Sequence, residues 1–240
     1  MALIDNLISY WKLDESSGDA ADAHGSNTLV NTGTPYGAGK INNGAAFDAD
    51  GKLGDADIDA FDFTATNPFS VSCWVKPTND VNCYITSKYF IGAAEYGWYL
   101  RITGAAGAKK IRFLHSSNSL LDQAILVDGS TSITTGSWFH VVMTYSGSGV
   151  ASGVALYVNS AGETESVIFD ALGTVPANTV AFNLGNANNA TANAMDGVLD
   201  EVGIWSRALT ATEVTDLYNG GSGLAYPLTV SSFIPKIVIF

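Results

Sequence analysis

The sequence predicts an all-β fold, a two-sheet antiparallel β-sandwich with one short C-terminal helix. Three observations carry this. Short runs that alternate by twos recur along the 240 residues, separated by Gly, Pro, Asn and Asp turn signals. Charged residues are only 14% of the chain, against roughly a quarter in an average domain, and Gly, Ala, Ser, Thr and Asn fill the space as on a strand-and-turn surface. Only one stretch carries a helix start signal, Thr210-Ala-Thr-Glu213, with the spacing of a capping box.

The elements follow in order. Leu7–Leu13 reads as the first strand, and Asp14–Gly25 as a turn-rich stretch. Asn27–Gly39 is broken by Gly, Thr and Pro35, which fits short strands and turns. Ala45–Phe47 is a short strand. Residues 48–60, with Asp48, Asp50, Asp55, Asp57 and Asp59, read as a solvated acidic loop. Phe69–Lys76 and Asn82–Ser87 read as a hairpin around Pro77–Asp80. Trp98–Thr103 and Lys110–Leu114 are joined by a Gly/Ala loop, and Ala124–Val127 is another short strand. Trp138–Tyr145 and Gly153–Asn159 form the clearest pair, and Val167–Phe169 and Ala181–Leu184 complete the set.

The closing segment, Gly197–Gly223, organises the rest. Alternation puts Val198, Asp200, Val202 and Ile204 on one face, and Leu199, Glu201, Gly203 and Trp205 on the other. Both faces are largely apolar, so the strand is expected at the centre of a sheet with cover on both sides. Val214, Leu217 and Tyr218 mark the buried stripe of the helix, and Gly220 stands where a left-handed residue ends it. Asp200 is the anomaly, an acid on an apolar face. It must be hydrogen-bonded, protonated or bound to a cation.

Six pieces carry a resemblance: YWKLDESSG (10–18), AFD (46–48), FSVSCWVKP (69–77), WFHVVMTY (138–145), GVALYVN (153–159) and DEVGIWSRALTATEV (200–214). In this order they resemble the laminin-G-like/concanavalin A-like jelly-roll family, across residues 7–223. The resemblance implies one domain over residues 1–223, with 224–240 (LAYPLTVSSFIPKIVIF) as an apolar tail beyond it. That tail either docks as an extra edge strand or pairs with another chain, since a bare apolar strand templates aggregation. The family spans sugar binders, adhesion modules, virion proteins and some glycosidases, so the fold does not fix the function.

Catalysis is not expected. Glycosidases of this fold set paired carboxylates on one strand face, at a separation suited to hydrolysis. Here the nearest acids are Asp196, Asp200 and Glu201, and strict alternation sends the adjacent Asp200 and Glu201 to opposite faces. Asp14 and Glu15 share that defect. No Gly-x-Ser-x-Gly or His-Glu-x-x-His pattern occurs, and His140 alternates with core positions as a structural histidine. The resemblance also implies one structural calcium ion, with Asp22 and Asn27 as the matching turn donors and Asp200 as their distant partner. Against this stands the simpler alternative of Asx turns at Asp22 and Asn27, with Asp200 accepting backbone N–H bonds. For a carbohydrate ligand the candidate residues are Tyr96 and Trp98 in one loop region, and Asn186, Asn188 and Asn189 in another.

The net charge of −12 argues against nucleic acid and against anionic membrane surfaces, and no stretch is long and apolar enough to span a bilayer. Met1–Asn6 lacks the basic start and apolar run of a signal peptide. The expected setting is a virion (as a phage decoration, fibre or tail-associated protein) or a cell surface, with other assembly subunits as partners of residues 224–240. Cys73 and Cys83 flank the Pro77–Asp80 turn one residue out of register. Either a bulge joins them in a disulfide or both are small buried apolar residues.

Overall fold

The structure is a computed structural model that describes residues 1–48, 51–90, 96–118, 123–188 and 193–230. Its strands are β1 (Leu7–Trp11), β2 (Val30–Thr32), β3 (Tyr36–Ala38), β4 (Asn43–Asp48), β5 (Lys52–Asp57), β6 (Phe69–Pro77), β7 (Cys83–Tyr89) and β8 (Gly97–Thr103). They continue as β9 (Lys110–Ser116), β10 (Ala124–Asp128), β11 (Phe139–Tyr145), β12 (Val154–Val158), β13 (Ala161–Gly162), β14 (Ser166–Asp170), β15 (Ala181–Leu184) and β16 (Asp196–Trp205). The helix α1 is Ala211–Tyr218.

Two antiparallel sheets face each other. The first runs β13-β12-β11-β6-β16-β4-β3, with β1 also paired to β16, and the second runs β14-β10-β9-β8-β7-β15-β5-β2. The inward residues of both sheets form the main core, among them Trp11, Phe69, Trp98, Phe113, Phe182 and Ile204. As expected, β16 is central: β6 lies along one side, and β4 then β1 along the other.

A second apolar layer covers the outer face of the first sheet. There Tyr10 and Trp205 of the sheet meet Leu209, Val214 and Leu217 from the helix region, and Leu3 and Leu228 from the two ends of the described chain. The helix starts with the expected capping box. Thr210 Oγ1 accepts from the Glu213 N–H at 3.3 Å, and Glu213 Oε2 accepts from the Thr210 N–H at 2.8 Å. It ends on Asn219, at φ 47°, with Gly220 left-handed just after it. Thr210→Ala should cost about 1 kcal/mol, read as a lower urea midpoint at unchanged slope.

Three expectations on the chain are corrected. The acidic stretch 48–60 is not a loop throughout, since Lys52–Asp57 is a strand paired to β15 and β2. Phe69–Pro77 and Cys83–Tyr89 are not a hairpin. β6 pairs β11 and β16 in the first sheet, while β7 pairs β8 and β15 in the second. Cys73 and Cys83 therefore enter the core from opposite sheets as free thiols, and burial pushes both up to about 12.

The third correction is a β-bulge. The register between β16 and β6 shifts between Asp200 and Gly203, and Glu201 takes a left-handed conformation at φ 48°. The extra residue breaks the alternation: Leu199, Val202 and Ile204 face the core, while Trp205 faces the helix layer. Glu201 meets the hydroxyl of Tyr10 in that same outer layer, and Asp200 lies cross-strand from Trp74, which stacks on Tyr218. The adjacent acids thus share the outer face.

Candidate functional site

Sequence reasoning named three groups of residues: a calcium set, the acids of β16, and two ligand loops. Asp22 and Asn27 do come together, through an Asx-type turn. Asp22 Oδ1 accepts backbone N–H groups from Tyr10, His24 and Gly25 at 2.8–3.0 Å, and Oδ2 accepts from Asn27 at 3.0 Å. The Asn27 side-chain amide donates to Ser9 Oγ at 2.8 Å. Asp200 is anchored by the Lys40, Ile41 and Glu201 N–H groups at 2.7–2.8 Å. Both carboxylates are ringed by positive N–H ends, which occupy the lone pairs a cation would take. The set Asp22, Asn27 and Asp200 does not fit a calcium shell.

Another acid group, Asp57, Asp59 and Asp62, brings its oxygens within 4.8 Å of one another beside a cavity of about 430 Å3. The ammonium of buried Lys88 sits 2.5 Å from Asp57 and 3.1 Å from Asp62, and it also donates to the Val180 carbonyl at 2.8 Å. A lysine already holds the position that would attract a metal.

Asp200 and Glu201 have raised proton affinities. Burial and the neighbouring Glu201 push Asp200 up to about 8, against the pull of its three N–H donors. Burial and Asp14 push Glu201 up to about 7, against the Tyr10 hydroxyl, Lys12 and the Tyr226 N–H. The Tyr10 O–H donates to Glu201 Oε2 at 2.5 Å, and Tyr226 packs against Tyr10 in a tilted arrangement with ring centroids 5.4 Å apart. Both acids are closed to a polymeric substrate, at 0% and 3% exposure. His140 is also a core group: Nε2 pairs with Ser72 Oγ at 2.9 Å, and burial pulls the imidazole down to about 3.

Of the ligand candidates, Trp98 points into the core and its indole N–H is spent on the Phe61 carbonyl at 3.0 Å, so it cannot face a ligand. Its neighbour Tyr99 takes the outward position. Tyr96 and Asn188 are brought close, since Phe90 bonds to the Tyr96 carbonyl and forms a bridge with Asn188. The Asn188 amide is tied to the Ala181 carbonyl, and the Asn186 carbonyl accepts from Ser87 Oγ at 2.8 Å. Asn189 lies outside the described residues.

Beside these loops lies a feature that motif reading missed, the outer face of the second sheet. Tyr84 and Tyr89 each meet Tyr99 edge-to-face, at 5.3 and 5.1 Å. Leu114 and Leu126 complete this floor. Above it the Arg101 guanidinium lies 5.0 Å from the Tyr99 ring and 5.7 Å from Tyr84. Arg112 forms a two-pronged bond to Asp128, at 2.5 and 2.8 Å. This floor is buried, with Tyr84, Tyr89 and Tyr99 at 3%, 4% and 6% exposure, and α1 and residues 224–228 close the outer face of the first sheet. Alternation within WYLRIT (98–103) and IRFLH (111–115) was the signal that could have found it.

Two facing sheets, one with a helix layer outside it and one with a buried tyrosine layer beneath half-exposed Arg101, Arg112 and Asp128, make this an antiparallel β-sandwich. A family model described as the concanavalin A-like lectin/glucanases superfamily matches residues 50–215, and the chain belongs to that superfamily. Domain 4 of AbnA, a GH43 extracellular arabinanase from Geobacillus stearothermophilus in complex with arabinotriose, superposes with TM-score 0.64 at 21% identity. That match covers 88% of this chain and 97% of the domain. The binding domain of Paraclostridial Mosquitocidal Protein 1 gives TM-score 0.69 at 16% identity, covering 91% of this chain and 53% of that one. The binding domain of botulinum neurotoxin DC, in complex with rat synaptotagmin II, gives 0.64 at 15%, covering 91% and 52%. This chain thus spans about half of the toxin domains. At these identities the likeness shows the fold. No curated protein sequence matches the chain. Among the described residues no helix is long and apolar enough to cross a membrane.

Proposed function

We propose that this protein is a non-catalytic carbohydrate-binding module whose ligand lies on the outer face of the second sheet. The observation that carries the reading is the polar cluster on that face, half-exposed Arg101, Arg112 and Asp128 over a buried tyrosine layer. Sugars are oriented by a few fixed polar groups, and the tyrosine layer beneath holds the guanidinium and carboxylate groups of this face in place. The arabinotriose held by a domain of the same fold supports it. The burial of Asp200 and Glu201 counts against a polysaccharide-cleaving enzyme. The setting we infer is a virion or cell-surface assembly, with residues 224–240 toward other subunits. The exposed apolar edge strand β14, with Val167 at 53% and Ile168 at 42%, favours a second reading, a purely architectural subunit.

Affinity electrophoresis through a panel of polysaccharides separates the two. The chain should be retarded by at least one polymer. The double variant Arg112→Ala/Asp128→Ala, which removes both partners and leaves no orphan charge, should lose at least tenfold in affinity. Thr212→Ala, on the exposed side of the helix, should bind like the parent. Equal binding by all three proteins, or no retardation by any polymer, would leave the architectural reading standing.

A further inference from the structure

Charge on the outer face of the second sheet is distributed unlike charge on the whole chain. The protein carries −12 net, with 11 Lys and Arg against 23 Asp and Glu. Yet the four strands β7 to β10 hold a single acid, Asp128, against Arg101, Lys110 and Arg112 on outward positions. Arg101 and Arg112 are paired residues of adjacent strands, lying directly across from each other. Like charges in that position repel, so something must compensate. Asp128 compensates Arg112 through both of its oxygens.

Among the described residues Arg101 has no such partner. It lies against the faces of Tyr84 and Tyr99, and its buried Nε–H has no hydrogen-bond acceptor among those residues. A guanidinium wedged between two rings is held in one orientation before any ligand arrives. Its two terminal Nη groups form a flat fork, which matches a carboxylate or sulfate through two parallel bonds. The same fork gains little from a neutral hydroxyl.

From this we propose that the sugar recognised on this face is anionic, a uronate or sulfated residue, and that Arg101 is the group that reads its charge. The proposal rests on the reading of the face as a carbohydrate site. The chain's overall negative charge repels polyanions at a distance, but that field is screened within about 8 Å at physiological salt. Arg101 acts at contact.

Matched pairs of probes test this: polygalacturonate against its methyl ester, and dextran sulfate against dextran. Each pair shares a backbone and differs in the charged group. The full chain should bind at least one charged member tenfold or more tightly than its neutral counterpart. Arg101→Gln should abolish that preference, and Arg101→Lys should restore part of it. Superposable thermal melts of the three proteins would exclude a folding defect. If charged and neutral members bind equally, yet Arg112→Ala/Asp128→Ala still loses affinity, the face is a sugar site and the role given to Arg101 is wrong. Binding to no probe at all overturns both readings.

Discussion

Trp11→Ala should destabilise the protein by about 3–5 kcal/mol, a large part of the total stability of a typical domain. Trp11 is fully buried, stacked on Phe182 at 5.4 Å and edge-on to Phe61 at 6.1 Å. Its indole N–H also donates to the Asn27 carbonyl at 2.8 Å. Alanine therefore leaves a cavity where the two sheets meet and takes the indole donor from that carbonyl. Trp11→Phe keeps most of the ring contact and loses the bond, so it should cost about 1–2 kcal/mol. Urea unfolding with unchanged slope would measure both. A loss below about 1 kcal/mol for the alanine variant would mean that the core closes over the gap.

The second large effect is on pH. Asp200 and Glu201, held near 8 and 7, titrate near 4 in an unfolded chain. The folded state therefore binds these protons more tightly. The stability they contribute is complete below about pH 4 and is lost as pH rises through 7 and then 8. The thermal midpoint should accordingly fall between pH 5 and pH 9. Glu201→Gln should flatten the fall, because the amide does not ionise and keeps an acceptor for the Tyr10 hydroxyl. At about 1.4 kcal/mol per pH unit, the variant should gain on the order of 3 kcal/mol over the parent at pH 9. A parent whose midpoint is flat or rises over this range would contradict the assignment. Asp14, Lys12 and the Tyr226 N–H face the same carboxyl, so Asp14→Asn should shift the transition downward in pH.

Much of the architecture was legible because local chemistry and fold agree. The strand pair 138–145 and 153–159, the central strand at 198–205 and the capping box at Thr210 all followed from period and spacing. The failures have physical causes. Lys52–Asp57 looks like a solvated loop because its acids obscure the alternation that a strand needs. The supposed hairpin at residues 69–87 failed because a Pro-Thr-Asn-Asp turn can close a hairpin or carry the chain between sheets, and tertiary pairing decides which. Asp200 and Glu201 were sent to opposite faces by a rule that a single bulge cancels, and nothing in DEVG announces a left-handed glutamate. The tyrosine face was hidden differently. Its residues come from four strands, and only the sheet order brings Tyr84, Tyr99 and Arg112 side by side.

The second apolar layer also sets a direction. Leu3 and Leu228, near the two ends of the described chain, pack into it on the outer face of the first sheet, and the tyrosine face looks the opposite way. Anything that grips the protein through this layer holds it from behind, with Arg101 pointing outward. The sandwich would then be a spacer two sheets thick, and the attachment point could change without occupying the proposed ligand surface.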